Sequence, residues 1–189
     1  MAIELPRYKF TVEEYEAMGR AGILDEDARV ELIEGEIIQM APIGPDHMFA
    51  VVGANAALLR RFDDVAWVSP QNPIRIGDRS QPQPDLVLLR IRGGRDATMI
   101  PSVDDVILVI EVSDTTLHYD RGVKLPLYAR AGIPEVWQVD VAHQLVYCHR
   151  EPGDDGYRVV QTLRAGDRIA PLAFPDRDLA VDDLLRPRS

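Results

Sequence analysis

The sequence predicts an α+β protein in which helices flank a central mixed or antiparallel β-sheet, and three patterns lead to this prediction. Residues 85–89 and 106–112 are short, β-branched and almost wholly apolar, which is typical of strands buried on both faces. Residues 47–62 repeat apolar side chains at helical spacing. Residues 135–163 hold three further strand-like segments, which we expect to form a meander.

The length and composition favour one domain. The chain has 189 residues, of which 46% are hydrophobic, and this is enough for a sizeable core. We expect the core to span residues 10–145, with a strand meander and a short helix over 146–189. No apolar run approaches the roughly 20 residues of a membrane helix, and the first ten residues lack a signal-peptide core. The sequence therefore predicts a cytoplasmic protein without a membrane partner.

The first elements are predicted to be a helix and a hairpin. Thr11 begins a capping-box pattern, and Gly22 ends the helix that follows. Residues 30–40 are typical of two short strands around a turn at Glu34 and Gly35. On spacing alone, Glu31 is a solvated position of this hairpin. The apolar residues expected to be buried here are Val30, Leu32, Ile37 and Ile38.

A longer helix is predicted to follow the hairpin. Asp46 would cap it, and His47 would lie in its first turn, where a lone histidine is usually partly exposed. The residues expected to face the core are Phe49, Val52, Ala56 and Leu59. Residues 67–69 and 72–76 then suggest a strand interrupted by proline, which places it near a sheet edge or a bulge.

Two acidic residues stand at the ends of the buried strands. Residues 90–105 are rich in Gly, Arg, Asp and Pro, so the chain can reverse there and pair the two strands antiparallel. Asp85 and Glu111 are equidistant from residue 98 in that loop, so symmetric pairing brings their carboxylates together. Two such oxygen ligands suit a hard cation such as Mg²⁺. The alternative is a pair of strand-end carboxylates that face water.

Lys124 is one of only two lysines in a chain whose other basic residues are arginines. We expect Asp120 to cap a helix that begins near Arg121 and ends at Gly132. Lys124 would then lie near the helix N-terminus, where the macrodipole disfavours a cation by about 0.3–1 kcal/mol. This placement suggests a function beside Glu111, with Arg121 and Tyr128 on the same helical face. The alternative is a surface lysine.

The last third of the chain is predicted to form strands and a short helix. Residues 135–140 alternate as a half-buried strand, residues 144–150 can pair back with it, and residues 157–163 supply a third strand. This meander would either extend the sheet or cover its edge. A short helix is expected near residues 181–185.

Several of these motifs together resemble the Uma family, which groups with the restriction endonucleases as a branch of the PD-(D/E)XK nuclease superfamily. The residues that carry the resemblance are Pro84, Asp85, Glu111, Val112, Ser113, Lys124, Tyr128 and Gly132. The resemblance extends upstream to the stretch ELIEGEIIQM and His47 and downstream to IPEVWQVD, so it covers most of residues 10–145. It implies a restriction-endonuclease-like fold.

The resemblance also implies roles for individual residues. Asp85 and Glu111 would bind Mg²⁺, with the Val112 carbonyl as a third ligand, and Mn²⁺ could replace Mg²⁺. In the superfamily, a lysine that positions or activates the attacking water lies two residues after the strand acid, but Ser113 stands there in this chain. The resemblance suggests that Lys124 supplies this group from the following helix. It adds Glu31, to hold a water molecule on the metal, and His47, to line the site.

These observations lead to two main functional hypotheses. The first is a Mg²⁺-dependent endonuclease that hydrolyses phosphodiester bonds in DNA, as a homodimer that reaches both strands. The second is a catalytically inert binding module of the same fold, favoured by Ser113 and by a net charge of −10, since phosphate contacts normally need Lys and Arg. Hydrolysis of a small phosphoester would require a closed pocket. Seven arginines near Asp85 soften the charge argument: Arg60, Arg61, Arg75, Arg79, Arg90, Arg92 and Arg95.

Overall fold

The computed structural model describes residues 6–25, 27–91, 99–113 and 119–185. The helices in these ranges are α1 Val12–Arg20, α2 Pro45–Phe62, α3 Leu125–Arg130 and α4 Asp182–Leu185. The strands are β1 Val30–Ile33, β2 Glu36–Gln39, β3 Ala66–Pro70, β4 Leu86–Arg90, β5 Val106–Ser113, β6 Glu135–Asp140, β7 Leu145–Gly153, β8 Gly156–Arg164, β9 Arg168–Ile169 and β10 Leu179–Ala180.

A six-stranded sheet forms the centre of the fold, in the spatial order β3-β4-β5-β6-β7-β8. All neighbouring strands in it are antiparallel except β5 and β6, which are parallel. The parallel pair needs a crossover, and the connection includes a π-helical turn, Asp120–Lys124, followed by α3. The predicted α+β class with a mixed sheet is confirmed.

The central hairpin has the predicted register. Leu86 pairs with Ile110 and Val87 with Val109, so the strands are symmetric about residue 98 at their open end. An irregularity between Leu88 and Leu89 shifts the register toward the loop. Because pairing is undisturbed at the open end, Asp85 lies beside the end of β5. Residues 92–98 of the connecting loop lie outside the described residues.

Apolar layers cover both faces of the sheet. One face packs against α2, α4 and the C-terminal segment, through residues such as Leu58, Phe62 and Leu184. The other face packs against α3 through Leu125 and Tyr128. Burying an aliphatic side chain fully stabilises the fold by about 1.5–3 kcal/mol, so these two layers hold the elements that carry the candidate site.

The N-terminal predictions are confirmed in outline. Thr11 and Glu14 form the reciprocal capping box of α1, and β1 pairs with β2 around Glu34 and Gly35. Both turn residues have positive φ, and a Cβ on Gly35 would come within 2.8 Å of the Lys9 Cβ, so glycine is required there. The burial prediction is wrong in part, because only Leu32 of the four apolar residues is fully buried. Glu31, expected in water, is 1% exposed.

The prediction for the core face of α2 is wrong. The buried residues of this helix are Ala50, Val51, Ala54, Ala57, Leu58 and Phe62. The predicted core residues Phe49, Val52 and Leu59 are exposed instead. This helix has apolar residues on two sides, so helical periodicity alone cannot choose between them, and the small alanines allow the closer approach to the sheet. The predicted cap is also wrong, since Gly44 occupies the N-cap and Asp46 lies in the first turn.

The remaining elements follow the predictions with two corrections. The strand β3 is an edge strand, as expected, but residues 72–76 make only isolated bridges. Residues 135–140, predicted to be half-buried, are buried on both faces because β6 lies between β5 and β7. The C-terminal meander extends the sheet, and α4 confirms the short terminal helix. The single-domain organisation stays a prediction.

No helix among the described residues is both long enough and apolar enough to cross a membrane.

Candidate active site

Asp85 lies immediately before β4 and is fixed between two other elements. Its Oδ2 accepts a hydrogen bond from the Val112 main-chain N–H at 2.8 Å. Its Oδ1 lies 3.1 Å from Nε2 of His47 on α2. The antiparallel register at the open end of the hairpin brings Asp85 to Val112 at the end of β5, whereas His47 reaches Asp85 from α2.

Glu111 extends from β5 into the buried side of the same region and is 3% exposed. The Tyr128 hydroxyl donates a 2.6 Å hydrogen bond to its Oε1. Burial raises the pKa of Glu111; Lys124 opposes this shift, Asp120 and Asp85 add to it, and the resulting pKa is about 8. The surroundings of Glu111 therefore disfavour the ionised, negatively charged form of its carboxyl group. A bound cation would relieve this cost.

Lys124 is the cation closest to Glu111. Its Nζ lies 3.2 Å from Glu111 Oε1 and 3.4 Å from Glu31 Oε2, and the side chain is almost fully buried. Burial by itself would lower the pKa of Lys124, but Glu111, Glu31 and two nearby aspartates outweigh it and raise that pKa. The ammonium is thus a permanent compact charge rather than a proton acceptor. The alternative of a surface lysine is wrong.

The turn that carries Lys124 is anchored by Ser113, the residue that stands where the superfamily lysine is expected. The Ser113 hydroxyl donates a 2.7 Å hydrogen bond to Asp120 Oδ2, and both side chains are buried. The prediction that Asp120 caps the helix is therefore wrong, because its carboxylate is turned to the end of β5. Asp120 lies inside the π-helical turn, and the N-cap residue is Tyr119. Ser113 holds the turn from which Lys124 reaches Glu111.

Glu31 is brought to the site by the β1–β2 hairpin. Its Oε2 accepts a hydrogen bond from the Gln83 main-chain N–H at 3.0 Å, and its Oε1 accepts one from the Tyr119 hydroxyl at 3.0 Å. With Lys124 at 3.4 Å, it links three segments that are distant in sequence. The interpretation of Glu31 as a solvated strand position is wrong.

His47 closes the site from the first turn of α2. Burial by itself would lower the pKa of His47, but the hydrogen bond and charge of Asp85 outweigh it and raise that pKa. The protonated ring is therefore favoured beside the carboxylate. Its Nδ1 is buried and has no hydrogen-bond partner among the described residues.

These side chains line one cleft of about 750 Å³. The acidic, basic and histidine residues that line it are Arg29, Glu31, His47, Asp85, Glu111, Asp120 and Lys124. The other lining residues are Ile38, Gln39, Met40, Ala41, Pro42, Ile43, Gly44, Gln83, Val112, Tyr119, Gly122 and Val123.

The donor set fits a hard divalent cation. No three His, Cys, Asp or Glu side chains are grouped as metal ligands within the described ranges, and the Val112 carbonyl is a main-chain oxygen that could act beside Asp85 and Glu111. The Val112 N–H points to Asp85, and in a β-strand the carbonyl of the same residue points to the same edge. That carbonyl therefore faces the strand end where Asp85 lies. Carboxylate and carbonyl oxygens are the ligand types that Mg²⁺ accepts.

Tyr128 and Arg121 were predicted to lie beside this site, and two other neighbours were not. Tyr128 lies on the predicted face and reaches Glu111, but Arg121 turns away to Gln138 Oε1 at 3.1 Å and stacks 4.4 Å from the Tyr147 ring centroid. Arg29 and Tyr119 were not predicted. Both lie outside the strand-end motifs, and no local pattern signals a contact across 88 positions such as that of Tyr119 with Glu31.

The fold is shared with a protein of known structure. It matches a solved structure described as "Crystal structure of a putative nuclease belonging to DUF820 from Anabaena variabilis ATCC 29413", with a TM-score of 0.70. The match covers 93% of this chain and 97% of that chain at 17% sequence identity, so it shows that the two chains share a fold.

The family follows from the sequence. The Uma2 family model, described as "Putative restriction endonuclease", matches residues 12–182, and the chain belongs to this family. The predicted resemblance is thereby confirmed. A comparison with curated proteins finds no match.

Proposed function

We propose that this protein is a Mg²⁺-dependent endonuclease that hydrolyses phosphodiester bonds in DNA, with Mn²⁺ able to replace Mg²⁺. One observation carries the proposal: Asp85 lies beside the end of the strand that bears Glu111, and the Lys124 ammonium lies 3.2 Å from Glu111 within one cleft. An acidic pair with a fixed cation is the set that metal-assisted phosphodiester hydrolysis needs. Family membership and fold support the same reaction class.

Asp85, Glu111 and the Val112 carbonyl would hold the metal. When bound, the divalent ion lowers the pKa of water and polarises a phosphoryl oxygen. The chain fixes both carboxylates in advance: Val112 N–H and His47 orient Asp85, and Tyr128 orients Glu111. Because these groups are locked by hydrogen bonds, little reorganisation is needed when substrate binds.

Lys124 would orient the attacking water and stabilise the negative charge that develops on the phosphoryl group. Its raised pKa suits this role and not that of a general base, because the ammonium keeps its proton. Glu31 holds the ammonium from the second side and would accept a hydrogen bond from the attacking water. The chain thus supplies from a helix the charge that the superfamily supplies from a strand.

Because the chain is acidic overall, a DNA phosphate bound in the cleft would need positively charged groups close to it. Arg29 lines the cleft and is exposed, so it is placed to contact a phosphate. The bound metal would offset the carboxylates of the site. We further propose that the enzyme acts in the cytoplasm as a single-domain protein.

The test combines metal binding with DNA nicking. Calorimetric titration of Mg²⁺ and Mn²⁺ compares the wild type with Asp85→Ala, and Asp78→Asn is the control at an exposed aspartate that pairs with Arg75. Plasmid nicking compares the wild type with Lys124→Ala, and Lys9→Ala is the matched control at the other lysine, which pairs with Glu36 at the surface. We expect loss of binding with Asp85 and loss of nicking with Lys124, while both controls behave as the wild type.

Two results would redirect the proposal. Metal binding without nicking of any DNA would leave the catalytically inert binding module as the better account. Hydrolysis of a small phosphodiester such as bis(p-nitrophenyl) phosphate, with no action on DNA, would assign the cleft to small substrates. Absence of metal binding in the wild type would refute the proposed site.

A further inference from the structure

We propose that the outward face of α2 binds a second copy of this chain through an antiparallel, two-fold symmetric helix pair. This face, the α2 stripe, consists of Met48, Phe49, Val52, Ala56 and Leu59. Val52 is 58% exposed and Phe49 is 52% exposed, although both are large and apolar. Soluble monomers rarely expose a large contiguous apolar patch, and such a patch usually marks an interaction site.

The spacing of the α2 stripe matches itself when the helix is reversed. Phe49 and Leu59 are equidistant from residue 54, and so are Val52 and Ala56. In an antiparallel pair centred there, Phe49 of one copy opposes Leu59 of the other, and Val52 opposes Ala56. Each larger side chain then meets a different side chain at its own level, as ridges-into-grooves packing and a two-fold interface require.

The charges beside the stripe select the same arrangement. Asp46 lies in the first turn of α2 and Arg60 in the last, and their spacing of 14 residues places them on the same flank. Their midpoint lies within one residue of the stripe's midpoint. An antiparallel pair therefore brings Asp46 of each copy to Arg60 of the other, whereas a parallel pair would align like charges. This complementarity of the surface with itself favours a second copy over an unrelated partner.

The proposed interface is separate from the candidate active site. No residue of the α2 stripe lines the cleft. The pairing therefore requires neither metal nor DNA, and it can be measured whether or not the protein is a nuclease.

The first test is sedimentation velocity of the metal-free, DNA-free chain over a wide concentration range. We expect a monomer–dimer equilibrium that Val52→Asp weakens about tenfold or more, because the substitution buries a charge at the centre of the pair. Val160→Asp is the matched control, since Val160 is 52% exposed on the edge strand β8 and lies outside the stripe. Circular dichroism confirms that both variants remain folded. A wild type that stays monomeric, or a dimer that Val52→Asp leaves unchanged, would overturn the proposal.

The second test uses exchanged charges. Asp46→Arg alone and Arg60→Asp alone should each weaken the dimer, because each places like charges at both ends of the pair. Mixing the two single variants should yield heterodimers in which every end is complementary again, and the double variant should regain the wild-type affinity. Only an antiparallel pair of two copies predicts this recovery. Equal weakening in the single, mixed and double samples would overturn the antiparallel arrangement.

Discussion

Replacing Glu111 by glutamine tests the electrostatics of the site without a change of shape. The pKa of this carboxyl is raised from 4.5 to about 8, chiefly by burial. Between these two values the folded state keeps a proton that the unfolded state has released. Stability of the metal-free wild type should therefore fall as pH rises through this window. Below pH 4.5 Glu111 is protonated in both the folded and the unfolded state, so its contribution to the free energy of unfolding is fully present.

The size of the effect follows from the width of the window. A single proton changes stability by about 1.4 kcal/mol per pH unit, so the share lost between pH 4.5 and 8 is roughly 5 kcal/mol. Glu111→Gln cannot ionise, yet its amide oxygen can still accept the hydrogen bond from Tyr128. The decline with pH that Glu111 causes should be absent from the variant.

Urea unfolding in the presence of a chelator, repeated from pH 5 to pH 9, measures this difference. The curves of free energy of unfolding against pH should diverge toward pH 8, with the variant becoming the more stable protein. Ionisable groups far from Glu111 act on both proteins alike, so the difference between the curves reports on Glu111 and the groups coupled to it, chiefly Lys124. Parallel curves across the whole range would show that Glu111 is ionised throughout as the partner of Lys124, and would refute the reasoning.

Three further predictions address metal linkage, the anchor of the π-helical turn and the orientation of α2. Mg²⁺ affinity of the wild type, measured by calorimetry, should fall up to about tenfold per pH unit below pH 8, because protons compete for Glu111. An affinity independent of pH would show that Glu111 either is ionised throughout or does not bind the metal, and would contradict this linkage. Ser113→Ala should lower stability by about 1–3 kcal/mol in urea unfolding, because a buried carboxylate loses a 2.7 Å hydrogen bond, and wild-type stability would contradict the anchoring role. Leu58→Ala should lower the free energy of unfolding by about 2–5 kcal/mol, and Leu59→Ala should lower it far less, because Leu58 is fully buried and Leu59 is 43% exposed. The unfolding is measured in dilute protein. Equal losses of stability in the two variants would contradict the orientation of the helix.

The position of Lys124 depends on contacts between β5 and the helical segment that follows it. The strand offers Ser113 at the position after Glu111 and Val112, and this small hydroxyl fits beside Asp120 in the interior. The helical segment then returns Lys124 over the strand end, where its Nζ lies 3.2 Å from Glu111 and 3.4 Å from Glu31. A longer side chain at position 113 would occupy the space of that contact. Ser113 and Lys124 are therefore parts of one arrangement.

The sequence by itself determined the strand ends of the candidate site. Asp85 and Glu111 flank apolar runs whose symmetric spacing about a loop leaves few alternative registers, and a one-residue slip would turn every buried side chain to the other face. The single lysine after β5 and the glycine that ends its helix likewise placed Lys124 near these carboxylates. These features are local or depend on one hairpin.

Only the tertiary structure decided how Glu31, Tyr119 and α2 are used. Glu31 lies on a hairpin whose pattern resembles a solvated strand, and its burial depends on contacts with segments 52 and 88 positions away. The helix α2 has apolar side chains on two sides, and the sheet selects the side with the smaller residues because they pack more closely. Periodicity indicates that a helix is amphipathic, but the surface against which the helix packs determines which of its faces is buried.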